Sequence, residues 1–208
     1  VPETFRTSVI TVVDNQSYRE DLTSTGTVLV QVSPSIPAAK PGQLTTRTDA
    51  NTGTLTMESG HGISTGQTII IFWSGGGRRS IVGTVSGDSV PFDNGSGDDL
   101  PANLTEITAS ITTTVLGLGG SLFAAESPEL MGVAVKCLVG AYAGFYDTTT
   151  ALIHEAFVDA GVGWSWNAAS GEANPLNAAA GGAIEEIRFA QADDTAARTI
   201  TVGTVADL

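Results

Sequence analysis

Between Leu44 and Leu100 the chain is cut by glycine turns into pieces too short for an ordinary helix. The order is Gly53-Thr-Leu-Thr-Met57, the Gly60-His-Gly62 turn, Gln67 to Trp73, Gly75-Gly-Gly77, Ser80 to Ser86, Gly87-Asp88, and Ser89 to Phe92. Four strands within about fifty residues, three of them joined by glycine turns, predict a small barrel or a compact meander. A barrel has the advantage that it closes its own edges.

The remainder follows the same grammar. Gly and Thr are abundant while Leu, Lys and Glu are sparse, which favours short strands over helices. Phe5 to Val13 and Thr27 to Val32 read as strands, the second stopped by Pro34 and Pro37. Ile36 to Gly42 holds two prolines and reads as an extended connection, and Asp93 to Asp99 with Pro101 is a polar break. Thr105 to Leu116 alternates with a period of two, setting Ile107, Ala109, Ile111 and Thr113 on one face. Leu130 to Tyr142 and Thr150 to Val158 are apolar enough for strands or buried helices. Over 151–160 both readings stand open, because Leu152, Glu155, Ala156 and Asp159 also fit a 3.6-residue period. Asn167 to Gly182 reads as a long polar loop, and Ile184 to Phe189 and Thr199 to Val205 as closing strands. The expectation is a mainly β chain with one or two small antiparallel barrel or sandwich modules and little helix. Its parts are N-terminal strands and connection over 1–43, a small barrel over 44–102, and an acidic sandwich-like module over 103–208.

Charge narrows the partners. The net charge is −13, yet residues 1–80 carry six basic and six acidic side chains, and the rest carries three against sixteen. DNA and anionic membranes normally need a basic stripe, so both are disfavoured as partners. No stretch approaches the roughly 20 apolar residues of a membrane helix, and the polar start Val1-Pro2-Glu3-Thr4 does not read as a signal peptide. A single cysteine, Cys137, excludes an intrachain disulfide framework and a multi-cysteine zinc site.

Few residues could carry chemistry. His61 and His154 sit in no metal motif, and on a strand His154 and Glu155 would face opposite sides. Cys137, between Val135, Leu138 and Val139, reads as a small buried hydrophobe rather than a nucleophile. Gly75-Gly-Gly-Arg-Arg79 lacks the ending of a phosphate loop and a following helix, so it reads as a hairpin tip. Its adjacent cations, Arg78 and Arg79, would then be free to dock on an acidic patch of a neighbouring copy. Asp93, Asn94, Asp98 and Asp99 are a weak candidate for Ca²⁺, because the EF-hand spacing is absent. Trp164 and Trp166, two apart, share a face on a strand and read as core edge, subunit interface or sugar-stacking platform. No catalytic residue and no cofactor is expected.

The segment Met57-Glu-Ser-Gly-His-Gly-Ile-Ser-Thr-Gly-Gln-Thr-Ile69, with Val82-Gly-Thr-Val-Ser-Gly-Asp-Ser-Val90 after it, resembles a small β-barrel module of tail and fibre proteins of tailed bacteriophages. In that module a His-Gly-hydrophobic-Ser/Thr-Thr-Gly-Asp turn precedes a strand; here Gln67 replaces the acidic residue. The closing hairpin, Ile184 to Val205, is similar to the last hairpin of phage virion proteins. The resemblance implies a virion structural protein, assembled in the host cytoplasm, whose partners are copies of itself and other virion proteins. A carbohydrate- or cell-surface-binding module using Trp164 and Trp166 is the alternative.

Overall fold

The computed structural model describes residues 27–117, 130–147, 149–171 and 184–207, so the strand expected at Phe5 to Val13 lies outside the described residues. In chain order the strands are Thr27–Val32 (β1), Ser35–Ile36 (β2), Lys40–Arg47 (β3), Gly53–Met57 (β4), Thr68–Trp73 (β5), Gly76–Val82 (β6), Ser89–Gly97 (β7) and Thr105–Ile111 (β8). They continue with Thr113–Gly117 (β9), Leu130–Cys137 (β10), Ala141–Asp147 (β11), Leu152–Val158 (β12), Trp164–Asn167 (β13), Ile184–Gln191 (β14) and Arg198–Asp207 (β15). One 3-10 turn, Ala168–Ser170, is the only helical piece among the described residues. The protein is mainly β, as its composition indicates.

Strands β3 to β8 close an antiparallel barrel in the order β3-β4-β7-β6-β5-β8, and β8 pairs back onto β3. Inward positions recur at every second residue: Leu55 and Met57 on β4, Ile69 and Ile71 on β5, Val90 and Phe92 on β7, and Ile107 and Ala109 on β8. The glycine-punctuated segment thus gives the expected barrel, with its strands extending from Lys40 to Ile111. Asp93 to Gly97 of the expected polar break is the end of strand β7, and the stretch around Ala102 is a loop within the barrel, because β8 follows it.

The barrel interrupts a second unit. β1 runs antiparallel to β15 from Thr27 opposite Asp207 to Val32 opposite Val202, and β2 continues along β15. One sheet has the order β1-β15-β10-β13 and the other β12-β11-β14-β9. Val133, Val135, Cys137 and Val202 from the first sheet meet Ala143, Phe145, Val158, Ile187 and Phe189 from the second in one core. Strand pairing therefore groups the chain differently from the expected 1–43, 44–102 and 103–208. Strands β1 and β2 belong with β9 to β15 in a sandwich, and the barrel strands β3 to β8 are inserted between them. Pairing between the two ends of a chain leaves no trace in local periodicity, which is why the insertion was not legible.

Local expectations fare similarly. Ile36 to Gly42 is less a connection than two strand ends, Ile36 closing β2 and Lys40 opening β3, with 37–39 between them. Thr105 to Leu116 divides at Thr112 into β8 of the barrel and β9 of the sandwich. Leu130 to Tyr142 holds β10, the turn at 138–140 and the start of β11, and residues 152–158 form a strand. The barrel and sandwich meet through Ile70 and Phe72 on the outer wall of β5, which pack on Tyr142 and Ala190 with Phe157 and Ala192 beside them.

Candidate functional site

The strongest convergence of polar side chains lies where the barrel meets the second sheet. From β6, Arg79 Nε donates to Glu155 Oε2 at 2.7 Å, and the Tyr142 hydroxyl donates to the same oxygen at 3.0 Å. The register sets Glu155 opposite Gly144, the residue between Tyr142 and Tyr146. A Cβ on Gly144 would stand 2.6 Å from the Tyr142 hydroxyl and 2.9 Å from the Tyr146 ring, so glycine leaves the space through which Tyr142 reaches Glu155. Gly77 has a similar task on the barrel side, where a Cβ would stand 2.6 Å from the Phe157 ring. Burial pushes the Tyr142 hydroxyl far above its ordinary range, reinforced by Tyr146 and Glu155. Burial pulls Arg79 downward, but the hydrogen bond and charge of Glu155 outweigh it and hold the guanidinium above its usual value. Further along the sheet, Arg188 lies 4.1 Å above the Tyr146 ring and donates to Glu186 at 2.7 Å and 3.1 Å.

A second joint fixes the link into the barrel. The fully buried Gln191 donates through Nε2 to Pro37 O and Ala196 O, each at 2.9 Å, and accepts from Asp193 N at 2.5 Å. Ala39 N donates to Asp193 O at 2.8 Å, while Thr108 Oγ1 and Ser110 Oγ donate to Ala192 O and Gln191 O at 2.8 Å. The Asp193 carboxylate accepts from Thr195 Oγ1, Thr195 N and Arg198, which together hold its pKa well below the carboxylate range. Buried polar groups this fully partnered fix one relative placement of two units. With Tyr142 at 0% exposure, the Arg79–Glu155–Tyr142 cluster is a lock and offers no seat for a substrate.

The residues singled out from sequence are scattered. Arg78 and Arg79 lie in strand β6 rather than at a hairpin tip, and both are engaged within the chain. Arg78 faces the barrel interior at 4% exposure and donates to Gly97 O and Asp98 O at 3.3 Å, so the expected docking pair is replaced by one internal ligand and one lock. Of the calcium candidates, Asp93 Oδ1 accepts from Thr52 Oγ1 at 3.0 Å and Asn94 N at 2.6 Å, and Asp98 Oδ2 accepts from Gly77 N at 3.1 Å. Asn94 has φ 60° and Asp99 is exposed. Among the described residues, no three His, Cys, Asp or Glu side chains are grouped to hold a metal ion, and the acidic end already has the Arg78 guanidinium beneath it. That charge adds to the backbone N–H groups of Asn51 and Thr52 in holding Asp49 below its usual range.

Trp164 and Trp166 share a face, as their spacing requires, and that face is the core. Trp166 is 7% exposed, and Trp164 packs against the same core with its ring 5.0 Å from His154 and 6.2 Å from Phe145. The core-edge reading thus describes the pair, Trp166 buried and Trp164 half-buried. Cys137 is likewise buried, its Sγ 3.6 Å from Thr199 O. His61 has a use that motif reading missed: Nδ1 accepts from Ile63 N at 3.0 Å, so the proton sits on Nε2 and is donated to Gly87 O at 3.3 Å. The imidazole ties two barrel turns together.

A shallow groove of about 240 Å³ is lined by Lys40, Glu58, His61 and Asp194 among others, but both His61 nitrogens are already occupied. No family model, curated protein or solved structure matches the chain. Sequence reasoning missed Tyr142, Glu155 and Gln191, although Ile69-Ile-Ile-Phe-Trp73, apolar without alternation, signalled a strand covered on both faces.

Proposed function

We propose that the chain is a non-enzymatic structural component of a phage-like virion, of the tail or neck, assembled in the host cytoplasm from copies of itself and other virion proteins. The observation that carries this reading is the use made of polar chemistry: Arg79, Glu155, Tyr142, Gln191 and Asp193 bind barrel to sandwich. A block joined in this way holds its two units in one relative placement, as a repeated building unit requires. The turn signature around His61 supports the same direction, since it resembles the phage module and its histidine holds that barrel's turns. The acidic excess suits surfaces that face solvent or a lumen through which DNA passes without sticking. The barrel shares in it, with seven acidic side chains against four basic over residues 40–111.

Light scattering on the purified full chain tests the proposal. A defined oligomer supports it. A monomer at every concentration, or an enzymatic activity that one Asp or Glu to Ala substitution abolishes, overturns it.

A further inference from the structure

Besides the two-residue β2, which continues the β1 edge along β15, the sandwich leaves four strands with a single ladder partner among the described residues: β1, β13, β12 and β9. Three are blunted. β13 has four residues, β12 carries His154 and Glu155 and a register shift, and the β9 ladder is irregular between Glu186 and Arg188. β1 has none of these protections. Its six residues, Thr-Val-Leu-Val-Gln-Val, pair with β15 without a break and contain no charge, proline or glycine. They lie in an uncharged stretch from Leu22 to Ala39, in a chain of net charge −13. Natural proteins protect edges of this kind unless they are used.

We infer that the β1 edge pairs antiparallel with β1 of a second copy of this chain, an inference that rests on the assembly proposed above and names its contact. The occupant follows from self-complementarity. Across a two-fold axis each residue meets itself or a near neighbour, so a charged edge would set like charges opposite one another. At β12 the edge already carries the Arg79–Glu155 ion pair of the lock; at β1 no charge is involved. A two-fold axis at Leu29 sets Thr27 opposite Gln31 and continues one sheet from β13 of one copy, through both β1 strands, to β13 of the other. About half the backbone N–H and C=O groups of an edge strand point away from its partner, and these would close the new ladder. Six residues span roughly 20 Å, less than a standard interface, so the contact is a concentration-dependent equilibrium that repeated contacts in an assembly reinforce.

The test is sedimentation equilibrium of the full chain with two double variants, Thr27→Glu/Gln31→Glu and Thr27→Lys/Gln31→Lys. Each variant alone should lower self-association at least about tenfold with an unchanged melting temperature, and an equimolar mixture of the two should restore it. Restoration is a readout that mere damage to the fold would not give. If the wild-type chain associates and both variants associate equally well, the β1 contact is wrong while the assembly reading stands. If the wild-type chain is monomeric throughout, both fall; an edge already covered by the chain's own first residues would give that result.

Discussion

Phe72→Ala tests whether the barrel and sandwich form one cooperative unit. Phe72 lies on the outer wall of the barrel, where an isolated barrel would leave it in water, yet it is 6% exposed because the Tyr142, Phe157 and Ala190 side chains cover it. Burying a phenylalanine ring is worth about 2–3 kcal/mol, and the gap left by its removal adds to the loss. Those two contributions put the destabilisation at about 3–4 kcal/mol, a large part of the roughly 5–15 kcal/mol that holds a typical domain folded. Equilibrium urea unfolding followed by tryptophan fluorescence should show one transition in wild type and a midpoint lowered accordingly in the variant. Ile81→Ala is the internal control, on the same barrel wall but 41% exposed, and should move stability by no more than about 0.5 kcal/mol. Equal, small effects from both substitutions would refute the packed junction.

Three further outcomes follow from the same geometry. Gly144→Ala should destabilise by about 1–3 kcal/mol, read by urea unfolding, because its methyl group would displace the Tyr142 hydroxyl from Glu155. Ser80→Ala should be neutral or stabilising by up to about 1 kcal/mol, since Ser80 Oγ is fully buried in the barrel without a protein partner. Thermal melts against pH should show two acid limbs. Burial holds His154 below the ordinary histidine range, so the unfolded chain takes the proton first, and stability declines as pH falls below about 6.5; His154→Phe should flatten that limb. Asp193, held below the carboxylate range by Thr195 and Arg198, stabilises above about pH 4 and loses that contribution as pH falls further, a loss Asp193→Asn should reduce.

What the sequence made legible was whatever a local pattern encodes. Glycine turns marked the barrel strands, and alternation in 105–116 marked inward Ile107 and Ala109. The same alternation passed over the break at Thr112, where the chain leaves one unit for another without changing its period. At 151–160 apolar content allowed helix and strand alike, and pairing with β11 decided for the strand. The tryptophan pair was placed on one face by its spacing, but which side of the sheet was covered depended on the distant strands β11 and β14. The lock was the least visible feature. Arg79 and Glu155 are 76 positions apart, and neither carries a signature of its partner. Arg78, its immediate neighbour, points the other way into the barrel, so two adjacent cations that look like one surface patch do unrelated work.

On the proposal above, this joined block of barrel and sandwich is a building unit for assembly. Negative-stain electron microscopy of the purified full chain addresses it most directly. Class averages should show rings, tubes or another defined oligomer built from repeated two-lobed units. A field of particles no larger than a single chain, unchanged over a hundredfold range of concentration, would contradict it.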